Sequence, residues 1–214
     1  MKKSAMLVFL AVFVLATPCL GQMLGPPIPE LVGTGITRDE FDYVAAAQRQ
    51  NEWCWAASIQ MILNWYGLPV DQAQVVARNY GAPVNQPGTD QMISSSLNTW
   101  AIAMNGQTFA IRSVTAPGPP PPLVLIQELN QKHPILLTFA SGPYSGHAVV
   151  ITAARYYNTP QGPLVNSLIL RDPFPTQQNI QNKGRVELAG PDLAQFLQQV
   201  RSNWLVSVQL IPTR

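Results

Sequence analysis

Cysteine is almost missing from this chain: 214 residues carry two, Cys19 and Cys54. Histidine is as scarce, with only His133 and His147. Charge is thin as well, since Asp, Glu, Lys and Arg together make up 11% of the residues. Each shortage excludes something. One or two thiols and two distant imidazoles are too small a donor set for a zinc site, so neither a metal nor another cofactor is expected. The low charged fraction excludes a disordered chain or one that coats nucleic acid. An apolar fraction of 47% and this length suit one domain with a sizeable core.

The N-terminus reads as a secretory signal over residues 1–21: Lys2-Lys3, an apolar run from Met6 to Leu15, then small residues to Gly21. The run is too short for a membrane span, and Pro18 is an awkward neighbour for a lipid anchor on Cys19. Cleavage there removes Lys2 and Lys3 and leaves 11 basic residues against 11 acidic ones. A formally neutral mature chain argues against nucleic acid as a partner. Cleavage also removes Cys19, so Cys54 becomes the single thiol and no internal disulfide can form. A lone thiol in an exported protein is read as reactive. The expected location is secreted or periplasmic, without stable membrane insertion once the signal is gone.

Residues 22–40 are rich in Gly and Pro and read as an extended arm, ahead of one domain over 41–214. No internal repeat is visible. The run Cys54 to Tyr66 reads as a helix, stopped by Gly67 and Pro69. Val70 to Tyr80 and Asp90 to about Trp100, capped by Thr89, read as two more. Thr108 to Val114 alternates like a strand after the Asn105-Gly106 turn. Pro117 to Pro122 reads as a stiff connector whose last proline opens a helix from Leu123 to Lys132; a polyproline ligand is the other reading. The second half is strand-rich: Ile135 to Ala140, His147 to Tyr157, Leu164 to Arg171, Arg185 to Leu188 and Trp204 to Ile211, with a short helix from Pro191 to about Val200. The expected class is α+β, with a helical first half whose Cys54 helix packs on an antiparallel sheet from the second half.

Cys54 sits in the first turn of its helix. Unpaired backbone N–H groups there favour a thiolate. Gln48, six residues upstream, can fold back and offer its amide to an oxyanion beside the sulfur. The other reading of Cys54 is a small buried hydrophobe. His147 opens a strand, and Gly146 before it lets a substrate backbone come close. His133, before Pro134, reads as a surface cap at a helix end. Asp172 ends the next strand. If the two strands are antiparallel neighbours, it lies near His147, where a carboxylate can hold the imidazole tautomer; a turn residue before Pro173 is the alternative. Trp53 reads as a pocket wall, and Trp55 as packing under the helix.

Gln48, then Trp53-Cys54-Trp55-Ala56-Ala57, then Gly146-His147, then Asp172-Pro173 together resemble the papain-like cysteine peptidases. The likeness is greater to compact bacterial branches: bacteriocin-processing (double-glycine leader) peptidase-like domains and papain-like effector proteases of plant pathogens. It spans about residue 41 to the C-terminus and keeps the family's order of Gln, Cys, His and Asp. The resemblance implies an exported bacterial cysteine peptidase, acting as a monomer on peptide or protein substrates. By it Cys54 is the nucleophile, His147 the general base and acid, Asp172 the orienting group, and Gln48 with the Cys54 backbone N–H the oxyanion hole. Trp53 and Gly146 would bind substrate, and Gln50 is the fallback oxyanion donor. The alternatives are an amidase or isopeptidase acting on cell-wall peptide with the same residues, or a peptidase-like domain that only binds peptide.

Overall fold

The computed structural model describes residues 29–143 and 145–211. The expected signal segment, Cys19 and the first part of the expected arm lie outside them. In chain order the elements are β1 (Leu31–Gly35), α1 (Arg38–Asp42), α2 (Cys54–Trp65), α3 (Gln72–Tyr80) and α4 (Asp90–Ser96). The hairpin β2 (Ala101–Met104) and β3 (Gln107–Pro117) follows, then α5 (Pro122–Asn130), β4 (Ile135–Ala140), β5 (Gly146–Thr159) and β6 (Gly162–Arg171). The chain closes with α6 (Gln177–Gln181), β7 (Arg185–Ala189), α7 (Gly190–Gln199) and β8 (Val200–Ile211). The fold is α+β. Among the described residues no helix is long and apolar enough to cross a membrane.

One antiparallel sheet runs in the order β2-β3-β8-β4-β5-β6-β7. Strand β1 pairs with the far half of β5, Leu31 opposite Tyr157 and Gly35 opposite Ala153. The later part of the expected arm is therefore a sheet strand and a short helix. Its strand is short and carries Gly33 and Gly35, so its alternation is hard to read from sequence. Helix α4 ends at Ser96, short of the expected Trp100, because the chain turns into β2, which pairs Ala101 with Ala110 of β3.

The apolar run in β5 has a simple cause: the sheet is covered on both faces. Ala148 and Val150 pack with Trp55, Ile59, Ile62 and Trp204 in one cluster. Their neighbours Val149 and Ile151 pack with Leu125, Leu129 and Phe196 in another. Successive side chains of a strand point to opposite faces, so each face takes alternate residues. Helix α2 buries Trp55, Ala56, Ala57, Ser58, Ile59, Met61, Ile62 and Leu63. Full burial of one large aliphatic side chain contributes about 1.5–3 kcal/mol, so tertiary packing, rather than helix propensity, holds α2 in place.

Candidate active site

Helix α2 begins at Cys54 with an exposed set of donors. Thr37, Asp71, Thr89 and Thr176 cap α1, α3, α4 and α6 with their side chains, and α5 and α7 carry proline in the first turn. Helix α2 has neither: Trp53 stands at its N-cap without a side-chain hydrogen bond, and no acidic residue sits in its first turn. A missing cap typically costs about 1 kcal/mol. Here it leaves backbone N–H groups and the positive end of the helix dipole beside the half-buried sulfur of Cys54.

The approach loop is pinned from several sides. The Gln48 backbone N–H donates to the Pro173 carbonyl at 2.8 Å, which ties the loop to the segment after Asp172. Gln72 is 2% exposed; it accepts from the Arg49 N–H at 2.9 Å and donates to the Ala47 carbonyl at 3.1 Å. Gln48 is itself buried. Its Nε2 donates to the Gln50 carbonyl at 3.0 Å and to the Asn51 carbonyl at 2.8 Å, while Oε1 has no partner among the described residues. Both amide hydrogens are thus engaged with the loop. Gln50 is exposed.

His147 is the second residue of β5, opposite Phe139 of β4. Asp172 directly follows β6, which pairs antiparallel with β5, Val150 opposite Arg171. That pairing brings His147 Nε2 within 2.6 Å of Asp172 Oδ1. The same oxygen accepts the Phe174 N–H at 2.8 Å, a turn typical of Asp before a bend. The other ring nitrogen, Nδ1, is not taken by Asp172, and His147 lines the same two cavities as Cys54. Phe139 meets the imidazole edge-on at 5.6 Å, and Phe174 at 6.2 Å, so two aromatic rings screen the His147–Asp172 bond from water.

His147 titrates high. Burial acts to lower its pKa, but the hydrogen bond to Asp172, then that to Cys54, then the charges of both outweigh it and push the value up to about 9. A free histidine titrates near 6.5. The raised value means the charged pair stabilises the fold fully below about pH 6.5 and loses that contribution as pH rises through about 9. The same proton is needed on the leaving amine. The expected pH profile of kcat/KM therefore keeps an alkaline limb near pH 9. An alkaline limb near 6.5, the ordinary histidine value, would contradict the pairing.

Two cavities of about 230 and 380 Å³ meet at Cys54, Glu52, Gly146 and His147. One is closed by Trp55, Gly88, Asp90, Thr138 and Arg201, the other by Ser141, Ser145, Asp172 and Phe174. Gly146 lines both. A Cβ there would meet nothing closer than Arg201 Nη1 at 3.5 Å, so the fold does not require glycine at this position, and the open space faces the cleft. Trp55 packs under the helix as expected and also walls the cleft, whereas Trp53, expected as a pocket wall, does not. Trp53 is 4% exposed, is absent from both cavity walls, and donates its indole N–H to the Val84 carbonyl at 2.8 Å. Trp55 lines the cavity and carries Gly88 over its ring, where a Cβ would sit 2.3 Å from Cδ2. The indole of Trp55 bonds the Gln86 carbonyl at 3.3 Å, so the loop after α3 becomes a wall of the cleft. His133 lies at the other end of β4, bonded through Nδ1 to Glu128 at 3.0 Å, away from this cleft. Phe174, Glu52, Asp90 and Arg201 were not among the expected site residues. Phe174 alone left a trace in the sequence, as an aromatic just after Asp172-Pro173.

The profile described as the Peptidase_C39 like family matches residues 40–204. No curated protein matches the sequence. Among solved structures, the peptidase domain of Streptococcus ComA, a bi-functional ABC transporter involved in a quorum-sensing pathway, is 17% identical, with a TM-score of 0.47 over 80% of this chain and 99% of that one. A double glycine motif protease from an AMS/PCAT transporter, solved with a leader peptide, is 14% identical, with a TM-score of 0.47 over 76% of this chain and 91% of that one. UfSP from C. elegans is 14% identical, with a TM-score of 0.48 over 88% of this chain and 36% of that one. With the family profile covering most of the chain, including Gln48, Cys54, His147 and Asp172, the protein belongs to the Peptidase_C39 like family and is a papain-like cysteine peptidase-like domain.

Proposed function

We propose that the chain is an exported cysteine peptidase that hydrolyses peptide bonds through Cys54, His147 and Asp172. The observation that carries this reading is the place of one imidazole: His147 holds Asp172 at 2.6 Å through Nε2 and lines the same two cavities as Cys54. The thiolate of Cys54 attacks the carbonyl carbon, and the C=O electrons move onto oxygen. The tetrahedral oxyanion collapses and expels the amine, which takes its proton from His147. Water, deprotonated by His147, then attacks the thioester and releases the acid and the thiol. No cofactor takes part, but the thiol must be kept reduced. Peptide or protein is the substrate class, the protein acts as a monomer, and export places it outside the cytoplasm.

The oxyanion is held by the Cys54 backbone N–H and by Gln48. To reach it, the Gln48 amide gives up one of its two loop carbonyls, at Gln50 or Asn51. Removing one oxyanion donor typically lowers kcat about 10²–10³-fold. Gln48→Ala is expected to show that loss while iodoacetamide still labels Cys54, because alkylation forms no oxyanion. Gln50→Ala is expected to turn over like the parent. The reverse pattern would make Gln50 the donor, and a lowered melting temperature with intact turnover would leave Gln48 only as a brace of the loop.

The test of the activity is a profile of new peptide termini. A denatured proteome is incubated with the mature protein and, separately, with its Cys54→Ala form. Termini that appear only with the parent support peptide-bond hydrolysis. Equal sets with both proteins would end this reading.

A further inference from the structure

The β5–β6 ladder slips register between Ile151 and Ala153, so Thr152 is left out of the pairing. A bulge of this kind bends its strand and re-aims what lies beside it. Thr152 then serves β1 instead: its carbonyl accepts the Ile36 N–H at 2.8 Å, and its hydroxyl donates to the Ile169 carbonyl at 3.3 Å. Gly35, at φ +115°, passes so close that a Cβ would lie 2.4 Å from the Thr152 carbonyl oxygen. Between β1 and this bulge lies a cavity of about 390 Å³, separate from the Cys54 cleft.

Its charged lining is of one sign. Arg38, Arg155, Arg171 and Arg185 line it, and among the described residues no Asp or Glu does. Two carboxylates approach from outside. Asp42 takes Arg171 at 2.7 Å and Arg38 at 3.7 Å; Glu187 takes Arg185 at 3.6 Å and Arg155 at 3.8 Å. Four guanidinium groups share two carboxylates, which leaves a net excess of two positive charges. Arg171 forms the floor, 1% exposed. Its Nη1 and Nη2 are held by Asp42 and by the carbonyls of Arg38, Asn182 and Lys183, and its Nε has no partner among the described residues. Burial, followed by the nearby charges of Arg185 and Arg38, acts against the charged form of this side chain. Arg171 keeps Asp42 as its anion, but its unpartnered Nε and the excess of cations around it suit a further anion in the cavity.

We propose that this cavity binds a phosphate-bearing small molecule, with Arg171 as its floor and Arg38, Arg155 and Arg185 as its rim. The charge favours phosphate over a single carboxylate. A phosphate monoester carries about −1.5 to −2 at pH 7 and matches the net excess of two positive charges, whereas one carboxylate would offset half of it. Planar guanidinium forks also suit tetrahedral phosphate oxygens, which accept two N–H bonds at once. The cavity has more room than a free phosphate ion fills, so the phosphate is carried on a small organic group. This site does not depend on the peptidase reading, because none of its residues touches Cys54 or His147.

The test is thermal melting of the whole mature chain in phenyl phosphate or inorganic phosphate, each against sodium chloride at equal ionic strength. A ligand that binds only the folded state raises Tm, here by about 2–4 °C at millimolar concentration. The Arg155→Gln/Arg185→Gln double variant is expected to lose that rise, and Arg112→Gln, on β3, to keep it. If the double variant fails to fold, Arg38→Gln on the exposed rim replaces it. The ³¹P line of the probe is expected to broaden with the parent and to stay sharp with the rim variant. No rise above chloride with either phosphate probe, or an unchanged rise in the rim variants, would overturn the proposal.

Discussion

Replacing Cys54 with alanine is expected to lower peptide turnover by about 10⁶-fold, the loss seen when the nucleophile of a coupled catalytic set is removed. The expectation rests on where the sulfur sits. Cys54 is the first residue of α2, at an uncapped helix end, and it shares both cavities of the cleft with His147. Among the described residues Cys54 is the only thiol. Gln48 and the His147–Asp172 pair can bind and polarise a carbonyl without Cys54, but they cannot form the thioester. The side chain is half-buried and short, so the variant is expected to melt within about 2 °C of the parent. Activity and stability are then separated in a single variant. Retained turnover in Cys54→Ala would remove the nucleophile from the scheme.

Asp172→Ala is expected to cost about 10²–10⁴-fold in kcat, the usual contribution of positioned acid–base machinery. It removes the acceptor 2.6 Å from His147 Nε2, so the ring loses both its orientation and the charge that holds its pKa near 9. Labelling of Cys54 by iodoacetamide should slow as well, because the thiolate loses support from the imidazolium. This sets Asp172 apart from Gln48, whose loss should spare labelling. Asp172→Asn should be milder than Asp172→Ala. A side-chain carbonyl at that position still accepts from His147 and from the Phe174 N–H, which lies 2.8 Å from Asp172 Oδ1. Equal turnover and equal labelling in Asp172→Ala and the parent would make Asp172 a turn residue and nothing more.

The parts of this site that were legible in the sequence are those set by local rules. The start of α2 at Cys54 and its stop at Gly67, which takes φ +78°, follow from apolar periodicity and a glycine stop. The neighbourhood of His147 and Asp172 follows from two adjacent apolar runs that fold as an antiparallel pair. What could not be read depends on groups far apart in the chain. Strand β1 exists because it pairs with the far half of β5, more than a hundred positions later, and no local pattern of five residues with two glycines announces that. The direction of the Gln48 amide is set by the carbonyls of its own loop, which in turn is held by Gln72 from α3. Trp53 and Trp55 look alike in the sequence. Their roles diverge because Val84 and Gln86, about thirty residues on, accept from one indole each and pull the loop over Trp55. Arg171 reads as the polar end of an apolar strand. Its burial follows from the acidic partner Asp42 on α1, 129 positions earlier.

Cys54 is expected to form a covalent acyl-enzyme with its substrate, and one measurement reaches that intermediate directly. The mature protein is mixed with a cleavable peptide, quenched in acid within milliseconds, and its intact mass and its peptide map are recorded. The expected result is an adduct equal to the N-terminal part of the substrate, confined to the fragment that carries Cys54 and released by hydroxylamine as a thioester is. Cleavage that proceeds with no adduct on Cys54, or with the adduct on another residue, would contradict it.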